Sequence, residues 1–221
     1  MTKLFRRREV WLPTPLGALL MLAAVVLVAG VLARTTYALL APQQPARGPD
    51  GAGARTLVVE GWLNPDELRQ AVAIVRNGRY ERVLTTGGLI EPWPEDSAWQ
   101  NIAERAAASL RASGLTSVPV IAVITPPTAQ DRTFRSALAV REWAQGSGLR
   151  LDAIDLLSLG VHTRRSWKLY RMALGDEVEV GVRAAVPTTY DARLWWRSSA
   201  GAKATMGEVL SLGWTACCFW P

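Results

Sequence analysis

The apolar residues of this chain form two patterns: one long unbroken run near the N-terminus, and then short runs that alternate with helical periodicity. The run Val10–Ala33 contains no charged residue, and as a helix it would be about 36 Å long, enough to cross a hydrocarbon layer of about 30 Å. After Thr56, near-continuous apolar strands alternate with amphipathic helices, which is typical of a parallel sheet covered on both faces. The pattern predicts a Rossmann-like, doubly wound α/β fold with a mainly parallel sheet, preceded by one N-terminal transmembrane helix.

Periodicity and turn residues place the individual elements of this fold. Strands are predicted at residues 56–60, 82–86, 118–125, 153–159 and 177–185. Helices are predicted at residues 65–77, 96–112, 133–144, 163–174 and 199–214. Asn64 followed by Pro65 is typical of a helix start, and Gly175 is typical of a helix end. The last helix is expected to face the core with its apolar residues, which are Met206, Val209, Leu210 and Trp214.

Positive charge is concentrated before the apolar run. The formal net charge is +6, and half of it lies in residues 1–9, whereas only Arg34 follows the run closely. By the positive-inside rule, residues 1–9 form a cytoplasmic basic tail, residues 10–33 cross the membrane and the rest is extracytoplasmic. A cleaved signal peptide is the alternative, although the run is longer than the usual apolar region of about 7–15 residues. Either way the domain is exported, and we expect a single-pass anchor in a bacterial inner membrane.

Composition divides the exported part into a linker and a domain, and it excludes several classes of ligand. Residues 34–55 are rich in Pro, Gly and Ala from position 42 onward and predict a flexible linker, so the domain is expected at 56–221. The domain is mildly basic without a basic stripe, which argues against nucleic acid. One histidine and the adjacent Cys217 and Cys218 offer no metal-binding pattern. Neither a G-x-G-x-x-G nor a Walker lysine motif is present, so we expect no metal and no cofactor.

Polar residues follow the predicted strands at their carboxyl ends, where doubly wound sheets bind ligands. His162, the only histidine, and Glu60 are the candidate catalytic groups, because imidazole titrates near a pH of about 6.5 and a carboxylate can act as a base. Other residues at these ends are candidates for binding an anion, since guanidinium groups and the N–H groups of helix starts favour phosphate. These residues are Gly87, Gly88, Asp131, Arg132, Thr133, Arg164 and Arg165.

Each of these residues also has an ordinary structural interpretation. His162 could serve as a helix cap, and the glycine pair could be a simple turn. Glu60 could form an ion pair with Arg164 or Arg165. Thr133 is most simply the N-cap of the third helix of the domain. Because neighbours on a helix point in different directions, one of the two arginines is expected to face solvent.

Four segments, taken in order, resemble one bacterial family. They are Val59-Glu60-Gly61-Trp62, Thr86-Gly87-Gly88, Arg132-Thr133 before an alanine-rich helix, and Gly160-Val161-His162-Thr163-Arg164-Arg165-Ser166. In this order they resemble the YdcF/SanA/ElyC proteins, which carry the domain of unknown function 218, over Thr56 to Glu208. The chain departs from the family pattern at Arg135 and Ser136, where the family has an acidic residue and an amide.

The resemblance implies a Rossmann-like domain behind a membrane helix, with a role in envelope integrity and peptidoglycan assembly. Under one hypothesis the protein maintains the cell wall by binding an anionic, phosphorylated ligand, either a small molecule or a lipid-linked precursor. As an enzyme it would then be a hydrolase or a transferase. Under the alternative it is a non-catalytic, membrane-tethered scaffold whose envelope protein partners contact the Trp195-Trp196 region or the membrane helix.

Overall fold

A long apolar helix comes first in the structure, a computed structural model that describes residues 11–48, 51, 53–89 and 98–220. This helix, α1, spans Pro15–Leu40, and the chain divides into two compact units between Thr36 and Tyr37. Thr14 caps α1, because its Oγ1 accepts a hydrogen bond from the Gly17 N–H at 3.2 Å. An 18-residue window of α1 has a mean hydropathy of 2.8 and is not buried, so α1 is long and apolar enough to cross a membrane. It begins later than the predicted span of 10–33 and continues beyond it.

The second unit contains a five-stranded, entirely parallel sheet with the strand order β3-β2-β1-β4-β5. The strands are β1 Thr56–Glu60, β2 Arg82–Gly87, β3 Val120–Ile124, β4 Ala153–Leu159 and β5 Glu179–Ala185. The helices are α2 Pro65–Asn77, α3 Ile102–Ala112, α4 Arg132–Gly146, α5 Thr163–Leu174 and α6 Ser199–Cys217. The predicted α/β fold is therefore confirmed. The expected start of the helix near residue 96 lies outside the described residues, but the prediction was wrong for residues 98–101, which precede the helix; Asn101 is its N-cap and accepts from the Glu104 N–H.

Helices cover both faces of the sheet, as the near-continuous apolar strands predict. Leu57 and Val59 of β1 face α2 and α3, whose contacting residues include Leu68, Val72, Ala106 and Leu110. Val58, between them, faces α4 and α5, whose contacting residues include Phe134, Val140, Leu169 and Tyr170. Successive side chains of a strand point to opposite faces, so a strand buried on both sides shows no polar alternation.

The helix ends follow local capping chemistry. Asn64 and Glu67 form a capping box at the start of α2: Asn64 Oδ1 accepts from the Glu67 N–H at 2.9 Å, and Glu67 Oε2 accepts from the Asn64 N–H at 3.1 Å. Gly175, with φ of 78°, ends α5 as predicted. At the start of α4 the N-cap is Asp131 rather than Thr133, because the helix begins at Arg132.

Residues 43–47, here called the strap, pack along β5, where the sequence predicted part of a flexible linker. Gln44 forms an antiparallel bridge with Val182, and the Ala46 N–H donates to Asp155 Oδ1 at 2.7 Å. Gly181 makes this packing possible, because a Cβ at that position would overlap the Ala46 backbone nitrogen. The strap covers the exposed edge of β5 with backbone hydrogen bonds, which need no apolar side chains and so leave no trace in composition.

The orientation of α6 differs from the prediction. Met206, Val209, Leu210 and Trp214 were expected to face the core, yet they are 54%, 40%, 73% and 54% exposed. The buried side of α6 consists of small and polar residues instead, namely Gly201, Thr205 and Thr215. Helical spacing alone identifies an apolar face without showing whether it turns inward, and here the helix packs through its small side.

Candidate functional site

The strand order opens a crevice between β1 and β4. The chain leaves β1 toward the face covered by α2 and leaves β4 toward the face covered by α5, so the two connections diverge outside the carboxyl ends of the strands. A cavity of about 870 Å³ lies there. Its polar lining comprises Glu60, Thr86, Asp131, Arg132, Thr133, Ser136, His162, Arg165, Ser211 and Thr215.

Glu60, the last residue of β1, lies at the base of this cavity and is 2% exposed. The Ser158 hydroxyl donates to its Oε2 at 2.5 Å, and the Ser166 hydroxyl donates to its Oε1 at 2.9 Å. Within the described residues it forms no ion pair with Arg164 or Arg165. Burial and the nearby charge of Glu60 raise the pKa of the Tyr170 hydroxyl above its usual range, so Tyr170 remains neutral. A buried carboxylate held only by hydroxyl groups keeps acceptor capacity for a ligand or a proton.

A short turn after β4 positions His162. Gly160 adopts φ of 44°, a left-handed conformation that favours glycine, and the chain forms the 3-10 turn Gly160–His162 directly before α5. Trp62, which follows β1, packs edge-on against the imidazole with ring centroids 5.2 Å apart. Two strand ends thus fix the histidine ring beside the cavity.

Glu208 of α6 connects His162 to Arg165. Its Oε1 lies 2.6 Å from His162 Nδ1, and both its oxygens accept hydrogen bonds from Arg165, at 2.8 Å from Nε and 3.1 Å from Nη2. Arg165 Nη2, which is only a donor, lies 2.9 Å from the same nitrogen and 3.5 Å from Nε2. The contact with Glu208, a carboxylate that can only accept, is a hydrogen bond when Nδ1 carries the proton. In the neutral ring this leaves Nε2 with the lone pair, as in a general base oriented by a carboxylate.

The same contacts determine the ionisation of Glu208. Burial by itself would raise the pKa of this carboxyl group, but hydrogen bonds from His162 and Arg165, followed by electrostatic attraction to these two groups, outweigh burial and lower the pKa from 4.5 to about 2. Glu208 is therefore ionised throughout the physiological range. Arg165 forms an ion pair with Glu208. The anion that Arg165 binds in this structure is therefore a side chain of the protein.

Arg132 is the arginine of the cavity that remains open to a ligand. It is exposed at the first position of α4, and within the described part of the chain it has no ion-pair partner. Asp131 precedes it with a left-handed φ of 55° and makes no capping hydrogen bond, so the first N–H groups of α4 are not capped by that side chain. An arginine beside uncapped helix N–H groups is suited to an anion.

The cavity also has apolar lining residues. Leu210, Trp214 and Phe219 from the C-terminal region form one wall, and Ile102 and Leu169 line the cavity from α3 and α5. Gly87 borders the cavity as well, where a Cβ would lie 2.7 Å from the Ile102 side chain, so glycine permits the packing of α3 at the end of β2. A molecule that fills this space would meet both polar and apolar side chains.

The structure gathers most, but not all, of the predicted site residues. Those that line the cavity are Glu60, Gly87, Asp131, Arg132, Thr133, His162 and Arg165. Gly88 does not line it; its carbonyl accepts from the Ile102 N–H at 2.8 Å. Arg164 points away, toward a separate groove, where its Nε donates to the Leu39 carbonyl. One arginine of the pair thus lies in the cavity and the other outside it, as helical geometry requires.

Sequence reasoning missed the residues that hold the predicted ones in place. Ser158 and Ser166 hold Glu60, and Glu208 holds both His162 and Arg165. The serines carry no distinguishing signal. Glu208 does: it is the one acidic residue of a helix made mainly of apolar and small residues, which suggests a specific partner. Within the described residues no cluster of metal-ligating side chains was found.

Comparison of the chain with protein-family models, curated proteins and solved structures found no match. Function therefore has to be inferred from the cavity itself.

Proposed function

We propose that this protein serves envelope maintenance in the manner of the YdcF/SanA/ElyC proteins, and that its cavity binds a ligand combining a phosphorylated group with an apolar group. A single-pass inner-membrane anchor with an extracytoplasmic domain belongs to the same proposal. The observation that carries it is a cavity lining that combines Arg132 and His162 with the apolar side chains of Leu210 and Trp214. A lipid-linked cell-wall precursor has this chemistry, and so does any smaller amphipathic phosphate ester.

The charges of the cavity lining favour a local anion site over a broadly positive pocket. Arg132 and Arg165 are offset by Glu60 and Asp131, and Arg165 is paired with Glu208 besides. Binding of the phosphoryl group would thus depend on Arg132 and on the first N–H groups of α4. The predicted anion role of Arg165 becomes, in this proposal, the positioning of Glu208 and His162.

His162 supplies the chemistry if the protein is a hydrolase. Nε2 would accept a proton from a water molecule while the water oxygen forms a bond to phosphorus. The bond from phosphorus to the oxygen of the apolar alcohol would break, and that oxygen would leave with the proton. Glu208 would stabilise the transient imidazolium, which its depressed pKa permits because the carboxylate stays ionised.

Binding can be tested with the full chain in phosphatidylcholine nanodiscs and three probes: geranyl phosphate, inorganic phosphate and geraniol. We expect geranyl phosphate to bind at least about tenfold more tightly than either partial probe, since only it can contact both the polar and the apolar lining residues. Arg132→Gln should weaken its binding by about tenfold, whereas Arg105→Gln, a matched change of an exposed arginine on α3, should not. Equal affinity for geraniol and geranyl phosphate would refute the anion site.

Turnover is a separate measurement. Phosphate release from geranyl phosphate should fall about 100-fold or more in His162→Ala while binding persists. If the unmodified protein binds geranyl phosphate but releases no phosphate, the proposed binding site stands and the proposed hydrolase activity is refuted.

The scaffold hypothesis is favoured by the exposed apolar face of α6, which monomeric domains rarely leave uncovered. Of the two tryptophans that this hypothesis places at an interface, Trp195 is buried and Trp196 is exposed, so only Trp196 is accessible to a partner. Exchanging residues 15–33, the part of α1 that precedes the domain, for an unrelated transmembrane segment in cells separates the two functions. A scaffold that uses the helix would lose function, and a ligand-binding domain that needs only tethering would keep it.

A further inference from the structure

The apolar residues on the outside of α6 form a continuous surface, here called the α6 ridge. It consists of Met206, Val209, Leu210 and Trp214, which recur at intervals of three and four and share one side of the helix. Leu210 is 73% exposed, the largest exposed fraction of the four. Contiguous apolar patches are rare on the surfaces of soluble monomers, and they usually mark an interaction site.

A groove of about 550 Å³ with positive charge runs between α5 and α6, here called the α5 groove. Arg164, Lys168 and Arg171 lie along one side of α5, and Asp176 is the one carboxylate among the lining residues. Met172 and Leu212 add apolar surface to it. Three cations with apolar surroundings match a phosphodiester headgroup with the first part of its acyl chains.

The α6 ridge lies between this groove and the ligand cavity. Leu212 and Ala216 of α6 line the α5 groove, whereas Leu210 and Trp214 line the cavity. A flat apolar phase that covered the ridge would therefore meet both openings at once.

The chain enters the domain next to the same groove. Arg164 Nε donates to the carbonyl of Leu39, and Leu40 is buried in the domain. Leu40 follows the uncharged run, which ends at Ala33, by only a few residues, and even a fully extended chain of that length reaches no more than about 25 Å. If the run is inserted in a bilayer, the groove is held within reach of lipid headgroups.

We propose that the domain binds the surface of an anionic phospholipid bilayer, with the α6 ridge in the interfacial region and lipid phosphates in the α5 groove. Charge complementarity selects this partner: the apolar ridge of α6 lies beside three cations of α5, and apolar side chains next to Lys and Arg are the combination that binds anionic membrane surfaces. The docked state would direct the mouth of the ligand cavity toward the bilayer.

The test uses hydrogen exchange of the full chain in nanodiscs of phosphatidylcholine alone or with about 30% phosphatidylglycerol. We expect slower amide exchange in α6 and in the exposed side of α5 in the anionic discs. Exchange of α2, which is remote from the proposed surface, should be the same in both. Each cation near a bilayer contributes about fivefold to binding. The double variant Lys168→Gln with Arg171→Gln should therefore lower the protection of α6 from exchange in the anionic discs by about 25-fold.

Two further variants control this result without touching the ligand cavity. Arg76→Gln with Arg105→Gln removes the same charge from exposed sites elsewhere and should leave the protection unchanged. Met206→Ser with Val209→Ser removes half of the α6 ridge and should abolish it. Equal exchange in the two kinds of disc would overturn the proposal. Protection in detergent that grows with protein concentration would overturn it in favour of contact between two copies.

Discussion

Two buried carboxylates on neighbouring strands, Glu60 of β1 and Asp155 of β4, have opposite environments. Each is 2% exposed and each borders a cavity. Asp155 accepts hydrogen bonds from the Tyr80 hydroxyl at 2.5 Å, from Arg183 Nε at 3.0 Å and from the Ala46 N–H. Glu60 has two serine hydroxyls and, among the described residues, no cation.

The difference separates a structural role from a candidate functional one. Burial of a carboxylate costs free energy, and Asp155 offsets that cost through a cation, a phenol and the Ala46 N–H of the strap. Burial and then the hydrogen bond to Asp155 raise the pKa of Tyr80, so its proton stays in place as a donor. Glu60 is left with weaker partners beside an open cavity, which suggests that its role involves a ligand.

The largest expected effect is that of Asp155→Asn. Loss of this charge leaves Arg183 partly buried without its partner, and we expect a loss of about 3 kcal/mol in the free energy of unfolding. Urea unfolding of the full chain in detergent micelles, followed by tryptophan fluorescence, measures it. Asp152→Asn breaks the exposed pair with Arg150 and should cost less than about 0.5 kcal/mol. Equal costs would mean that the Asp155 cluster is not a structural clasp.

Gly181→Ala tests the strap from the other side. The new Cβ would overlap the Ala46 nitrogen, so the strap has to move, at a cost of about 2 kcal/mol. Limited proteolysis should cleave near residues 43–47 faster in this variant. Gly146→Ala is the matched control, because a Cβ there meets nothing within 4 Å, and its stability should not fall. An intact, protease-resistant strap in the first variant would contradict the contact.

Glu208→Gln probes a third carboxylate, which is paired with a cation as Asp155 is and holds a residue of the ligand cavity, His162. Its folded pKa of about 2 lies below the ordinary 4.5, so its stabilisation is complete above about pH 4.5 and is lost as the pH falls toward 2. Allowing for solvent screening, we expect the variant to be less stable by about 2 kcal/mol at pH 7, with a difference that shrinks as the pH falls toward 2 and disappears below that pH. Stability curves measured against pH would contradict this if the difference were constant.

The smallest effect on stability is expected for Glu60→Gln. The glutamine carbonyl can accept from one serine, and the other serine can rotate its hydroxyl to accept from the amide, so the change should stay within about 1 kcal/mol. Geranyl phosphate turnover should nevertheless fall. Comparable losses of stability in Glu60→Gln and Asp155→Asn would remove the distinction between the two carboxylates.

Much of the fold could be predicted because it depends on short-range rules. The strands β1 and β4 and the helix α5 lie where apolar runs and turn residues place them, and Asn64 and Gly175 end their helices by local hydrogen bonding and backbone conformation. The gathering of Glu60, Arg132 and His162 at one cavity also follows, since parallel strands present their carboxyl ends at one edge.

The amino-acid sequence by itself determined the order of elements, the apolar N-terminal helix and the residues at the strand ends, because these depend on periodicity and chain connectivity. Only the tertiary structure decided which side of α6 is buried, that residues 43–47 bind β5, and that Glu208 pairs with His162 and Arg165. Such contacts join residues far apart in the chain, so they depend on which surfaces meet. A single feature can decide them: the missing Cβ at Gly181 lets the strap bind β5, and one carboxylate on α6 holds His162 and Arg165.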